Sequence, residues 1–279
     1  MKLPPLLQQL LRRRIVLLSA VVLLVIVVFA LGAPLFASAD PNDTAMLDRL
    51  KAPSAQHPMG TDELGRDLYA RIVHGARYSL AIAGLTAAGS ILAGTLLGLM
   101  AGFFRRLDAP LMRVVDAMMS FPDILLAIAL VAILGPSLTN VVLALVLVYT
   151  PRVARVVRAS TLVVRELLFV EAARAIGART PHILWHHVLP NLMSPILVQA
   201  SFIFAYAILA EAGLSFLGVG MPPEIPTWGT MVAGSQQYAD RAFWVVLFPG
   251  LAIILTALSL QLLGDGVRDA LDPKLKKAA

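Results

Sequence analysis

Three acids interrupt otherwise apolar stretches of this 279-residue chain: Asp116, Asp123 and Glu211. A carboxylate within a membrane span is costly, so it faces protein or water and often marks the path of a charged solute. Two chemistries fit. The acids could line a polar passage and bind positively charged groups of a solute. They could equally be structural, and Arg113, three residues before Asp116, can pair with it on one helical face. Glu211 could hold an amine or pair with a neighbour. His182 and His186 stand four apart, the spacing of a metal pair on a helix. A zinc protease needs Glu directly after the first histidine, and Ile183 is there. His57 and His74 have no clear third ligand, so no metal site is expected. There is no cysteine, which excludes disulfides, thiol catalysis and thiolate metal sites. No G-x-x-x-x-G-K-[ST] phosphate loop occurs, so the chain is not expected to hydrolyse ATP by itself or to bind a cofactor.

The elements that must carry these residues are membrane spans. The chain is 58% hydrophobic and 14% charged, with mean hydropathy +0.80. A soluble domain carries about a quarter charged residues. Ile15–Ala39, Tyr78–Phe104, Ile124–Pro151 and Ala242–Leu263 each exceed the roughly 18 apolar residues that mark a spanning helix. The net charge of +6 fits basic residues gathered on the cytoplasmic face, and no nucleic-acid-reading motif competes with that reading. Ala37-Ser38-Ala39 resembles a signal-peptidase site. The apolar stretch before it is longer than the h-region of a signal peptide, so a retained first span is expected.

Gly135-Pro136-Ser137 divides the third long stretch, and charge decides how it is counted. As a hairpin it gives six spans, at about 15–36, 78–104, 109–134, 138–157, 191–216 and 242–263, with both termini inside. Seventeen Lys and Arg then lie inside and six outside. Counted as one span it puts eight inside and fifteen outside, which inverts the positive-inside rule. The expected organisation is an all-α integral membrane protein. It has a cytoplasmic tail over 1–14, a first span over 15–36 and an exterior loop over 37–77. A five-helix core over 78–264 contains a cytoplasmic loop at 158–190 and an exterior loop at 217–241. A cytoplasmic tail over 265–279 follows. Gly94, Gly98 and Gly102 recur every four residues on the second span, a small-residue stripe for close helix packing within the chain or against a partner.

The cytoplasmic segment Glu171–Asn191, "EAARAIGARTPHILWHHVLPN", reads as two short helices and a turn. Gly177 suits the left-handed position that closes a helix. Thr180 can cap the next one, Pro181 fits its first position, and Pro190 limits it before the following span. Such a basic, projecting element suits docking into a partner's groove.

The spacing Glu171-Ala172-Ala173, then Gly177, then Leu189-Pro190 resembles the "EAA" loop of ABC importer permeases. The residue two before Leu189 departs from the general aliphatic pattern: it is His187, and "HVLPN" is similar to the peptide-importer branch. "HPMGTDELGRDLYARIVHGARYSL" from His57, "EAGLSFLGVGMPPEIPTWGTM" from Glu211 and "FPGLAIILTALSLQLLGDGVRDALDPKL" from Phe248 resemble the C-type permease of dipeptide and oligopeptide importers. The resemblance implies a type I ABC importer permease fold in the bacterial inner membrane. The implied assembly has a second homologous permease, two ATP-binding subunits that hold ATP and Mg, and an extracytoplasmic binding protein that delivers a peptide. It implies ATPase coupling through Glu171, Ala172, Ala173, Gly177, Leu189 and Pro190, and a translocation path near Asp116, Asp123 and Glu211. The exterior "DELGRD" at Asp62–Asp67 could meet the binding protein or form a solvated loop with local salt bridges. Nickel or glutathione import by the same family is the nearest alternative. An ion-coupled secondary transporter is a more distant one, because it does not need the cytoplasmic helix–turn–helix.

Overall fold

The computed structural model describes residues 13–271. Lys2, Arg12, Lys274, Lys276 and Lys277 of the basic tails lie outside them. The described residues are helical apart from an irregular outer segment and short connections. Helix α1 (Arg14–Leu31) is apolar around its circumference and largely faces outward, as a lipid-facing span does. Gly32 ends it, and a one-turn α2 (Ala33–Phe36) folds Phe36 back onto Phe29 with ring centroids 4.5 Å apart.

The outer segment from Ala37 is shorter than expected, because helix α3 (Leu68–Phe103) begins ten residues before Tyr78. Asp67 caps it by accepting the Ala70 N–H at 2.9 Å and holds His57 Nδ1 at 2.8 Å. Its first three turns bury Leu68, Ala70 and Val73. The "DELGRD" segment is not solvated. Asp62 is 3% exposed. Its Oδ1 accepts the Leu64 and Arg66 N–H groups, and Arg66 Nε and Arg71 Nε reach its Oδ2 at 2.6 and 3.5 Å. A buried carboxylate that collects this many donors organises the loop around itself.

The expected third span is bent. An amphipathic α4 (Arg105–Met119) and an apolar α5 (Asp123–Leu134) meet at 89° across Ser120-Phe121-Pro122. Pro122 disfavours a helical Phe121, and α4 carries too many polar residues to insert upright. Helix α6 (Leu138–Val164) starts at Ser137, whose side chain accepts the Asn140 N–H, and runs seven residues beyond its expected end. Gly94, Gly98 and Gly102 lie against α6. A Cβ on Gly98 would stand 2.6 Å from Val157 Cβ, and one on Gly102 would stand 2.6 Å from Thr161 Cβ, so the two helices touch nearly backbone to backbone.

Helices α7 (Leu168–Ala175) and α8 (Thr180–Ile183) form the expected pair. Beyond them the structure departs from the reading. Arg179, not Thr180, occupies the cap position, and no side-chain cap bond forms. Pro190 does not stop the helix. A π-turn over Leu184–Val188 carries the chain directly into α9 (Leu189–Phe216), so one helical run extends from Thr180 to Phe216. The Leu189 N–H bonds the Leu184 carbonyl, five residues back. The wider turn takes the chain past a proline that can give no N–H to the turn before it. The outer segment after α9 folds back as α10 (Trp228–Ser235), which buries Trp228, and α11 (Trp244–Leu271) closes the bundle.

Arg13, at the start of α1, pairs with Asp269, near the end of α11. The two ends of the described chain therefore lie at the same end of the bundle, which requires an even number of crossings. Five helices are long and apolar enough to span, and the bent pair α4–α5 supplies the sixth.

Candidate functional site

Two regions gather the residues that the sequence singles out. The first is the projecting pair α7–α8. Ala173 and Val170 on α7 and Ile183 on α8 are buried and join the two short helices to the bundle. Helix α7 ends in a Schellman turn. The Ala178 N–H reaches the Ala173 carbonyl and the Gly177 N–H reaches the Arg174 carbonyl, both at 3.0 Å, with Gly177 at φ +81°. No neighbouring atom crowds Gly177, so its positive φ alone favours glycine there.

Glu171 and Ala172 face outward beside Leu168, Ile176 and Trp185, which are 82%, 85% and 67% exposed. Arg174 stacks on Phe103 at 5.2 Å, and Arg165 donates to the Gly102 carbonyl at 2.6 Å, which fixes the element to the C-terminal end of α3. Leu189 and Pro190 do not share this outward patch. They sit in the first turn of α9, where they follow the π-turn. His182 and His186 stack at 4.3 Å, and no cluster of three metal-ligating side chains occurs among the described residues. The apolar tips Ile176, at the end of α7, and Trp185, in the π-turn after α8, carry no motif of their own.

The second region is an ion-pair ladder between the bent pair and α6. Asp116 pairs with Arg155 at 2.7 Å rather than with Arg113, since the groove between α4 and α6 brings the α6 guanidinium to it. Asp123 pairs with Arg152. Asp108 receives Arg158 through both Nε and Nη2, the latter at 2.7 Å. Arg152, Arg155 and Arg158 are three apart, one turn of α6 per rung, so α4 and α5 are tied to one face of it. The sequence reading names two of the acids and misses all three arginine partners. Their three-residue spacing just inside the fourth span is the signal that could have found them.

Above the ladder, Asp123, Tyr149 and Tyr206 line a cavity of about 240 Å³ with Leu145, Val148 and Leu209. The Arg152 guanidinium stands 5.8 Å from the Tyr149 ring and 5.5 Å from the Tyr206 ring. Glu211 does not join this cavity. It is 2% exposed and accepts the Ser215 hydroxyl at 2.9 Å and the Thr227 hydroxyl at 2.7 Å. Thr227 is also the cap of α10, where its side chain and that of Thr230 form a reciprocal capping box. Glu211 thus holds the outer helix onto the bundle.

The family model described as "Binding-protein-dependent transport system inner membrane component" matches residues 94–277. A second, "N-terminal TM domain of oligopeptide transport permease C", matches residues 6–53. A peptide transport system permease protein of Brucella suis biovar 1 is 50% identical over 247 residues, 88% of this chain and 83% of its own. A di/tripeptide transport system permease protein of Pseudomonas aeruginosa is 48% identical over 257 residues, 90% of this chain and 85% of its own. A glutathione transport system permease protein of Pectobacterium atrosepticum is 46% identical over 231 residues, 82% of this chain and 77% of its own. Among solved structures, an inward-facing methionine ABC transporter aligns at TM-score 0.61 with 20% identity, over 72% of this chain and 97% of that one, a likeness of fold. A helical membrane bundle with a projecting helix pair, matched over most of its length at this level of identity, belongs to the family of binding-protein-dependent transport system inner membrane components.

Proposed function

We propose that the chain is the permease subunit of an ATP-driven importer of small peptides. The observation that carries this reading is about one-half identity, over most of both chains, to peptide and di/tripeptide transport permeases. In this reading the chain is not an enzyme. Two ATP-binding partners hold ATP and Mg, a second homologous permease completes the passage, and a binding protein delivers peptide from outside the inner membrane. The α7–α8 pair faces the cytoplasm and takes the thrust of the ATPases. Glu171, Ala172 and the exposed Ile176 and Trp185 make the contact, Ala173 and the Gly177 turn fix its shape, and Leu189-Pro190 passes the movement into α9. Gly94, Gly98 and Gly102 serve packing within the chain.

Uptake of labelled dipeptide by proteoliposomes containing the whole complex tests the reading. The wild type should accumulate dipeptide only with ATP and binding protein. Glu171→Lys, or deletion of Ala172–Arg179, should leave the chain in the membrane and abolish uptake. Normal ATP-dependent uptake by either variant would refute the coupling role. The identity to a glutathione permease favours one second reading, a glutathione importer. Competition of dipeptide uptake by glutathione separates the two.

A further inference from the structure

The three rungs of the ladder are not equivalent. Arg158 grips Asp108 with two nitrogens, and both side chains are about a quarter exposed, at 30% and 26%. Arg155 and Asp116 are half exposed or more and do not line the 240 Å³ cavity. Arg152 touches Asp123 through a single nitrogen and a single oxygen. Among the described residues, the second Asp123 oxygen and the remaining Arg152 N–H groups have no protein partner. A guanidinium has five donors and a carboxylate about four acceptor sites, so most of the capacity of this pair is unused. The pair is 37% and 36% exposed; Asp123 lines the 240 Å³ cavity, and Arg152 stands beside Tyr149 and Tyr206, which line it too. Two tyrosine rings lie against the guanidinium, which leaves its edge free to receive a planar anion. Arg152 lies about 21 Å along α6 from its outer end at Leu138, well within the span.

We propose that Asp123 and Arg152 form a transient binding site for the two charged ends of a short peptide, with the α-ammonium on Asp123 and the α-carboxylate on Arg152. This rests on the peptide-importer reading above. A zwitterion can exchange one ion pair for two without leaving either protein charge bare. Its entry therefore avoids the cost of an unpaired charge inside a membrane protein. The same exchange re-forms the Asp123–Arg152 pair when the ligand departs, so the hold is weak, as passage requires. Leu145, Val148 and Leu209 form an apolar wall that accepts many uncharged side chains, while the two charges fix the ends.

The test compares uptake of one dipeptide with its C-terminal amide and its N-acetyl form, in proteoliposomes of the whole complex, with each peptide saturating the binding protein. The wild type should favour the free dipeptide over each blocked form by on the order of tenfold, the worth of one charge-assisted contact. Arg152→Gln should abolish the preference against the amide and keep that against the acetyl form. Asp123→Asn should do the reverse. A pair that only latches α5 to α6 would not split the two preferences in this way. If Arg152→Gln fails to assemble, Tyr206→Leu removes one of the two rings beside the guanidinium and leaves the ion pair. It should weaken the carboxylate preference alone. Wild-type preferences in Arg152→Gln and Asp123→Asn, or in Tyr206→Leu where those do not assemble, overturn this inference and leave the peptide-importer reading standing. A wild-type complex that takes up no dipeptide removes both.

Discussion

Gly98 has Val157 Cβ, the Ala154 carbonyl and the Arg158 N–H within 3 Å of where a Cβ would sit. Those are neighbours on a rigid helix rather than the tip of a flexible side chain. Gly98→Val should therefore destabilise the fold by about 3 kcal/mol, at the top of the overpacking range. It should be read as a lower melting temperature in detergent. Gly84→Ala meets only the Phe204 ring, at 3.5 Å, and should be nearly silent.

Glu63 gives a pH prediction. Burial raises its carboxyl above the ordinary value, and the charge of Asp62 beside it adds to the rise. The folded chain therefore holds this proton more tightly than the unfolded chain does. The associated stability is fully present below the ordinary carboxylate range and is lost as pH rises through the elevated value. Glu63→Gln should flatten the dependence of melting temperature on pH between acidic and neutral conditions. At this scale the sequence was only half legible. It showed that Asp116 and Asp123 needed partners; the three-residue spacing of Arg152, Arg155 and Arg158 marks a row of candidates on another helix, but which acid meets which arginine is set by tertiary packing.

Spans are read from runs of apolar residues, and the long helices were legible for that reason. Their ends were not. Helix α3 gains three turns because Asp67 caps it early and because Leu68, Ala70 and Val73 find a buried surface made by distant segments. The third span bends because α4 is amphipathic, with five Asp and Arg residues among its fifteen, and only the ladder to α6 says where it must lie. Asp108–Arg158 is the rung nearest the C-terminal end of α6. Arg158→Ala should destabilise by about 2 kcal/mol, since a partly buried pair is broken and Asp108 is left alone. The double variant Asp108→Ala with Arg158→Ala should lose less than the sum of the singles, measured as a double-mutant cycle in detergent melting. The π-turn was invisible in advance. Proline after "HHVL" signals a helix break, and the wider turn is how the tertiary structure keeps the helix going instead.

Across the whole molecule, charge asymmetry and geometry reach the same count by independent routes. Seventeen basic residues against six favour an even number of crossings, and the Arg13–Asp269 pair puts both ends of the described chain at one end of the bundle. Since the native chain has no cysteine, the paired substitution Arg13→Cys with Asp269→Cys tests that closure directly. Mild oxidation should produce an intrachain crosslink, seen as a mobility shift that is lost when a protease cut between α6 and α7 is followed by reduction. A crosslink that fails to form in the assembled complex would mean the ends are apart.

That same closure bears on how the protein is made. Helix α1 packs chiefly on α11, so α1 must wait for the synthesis of α11, more than 200 residues later, before it gains its main neighbour. Synthesis at roughly 5–20 residues per second leaves it in the lipid, without that neighbour, for many seconds. Its largely apolar circumference, with the buried Ser19 hydroxyl turned back onto the Ile15 carbonyl, is what lets it tolerate the delay, and a charged residue on the face that later meets α11 would be penalised in biogenesis before it was felt in the finished transporter.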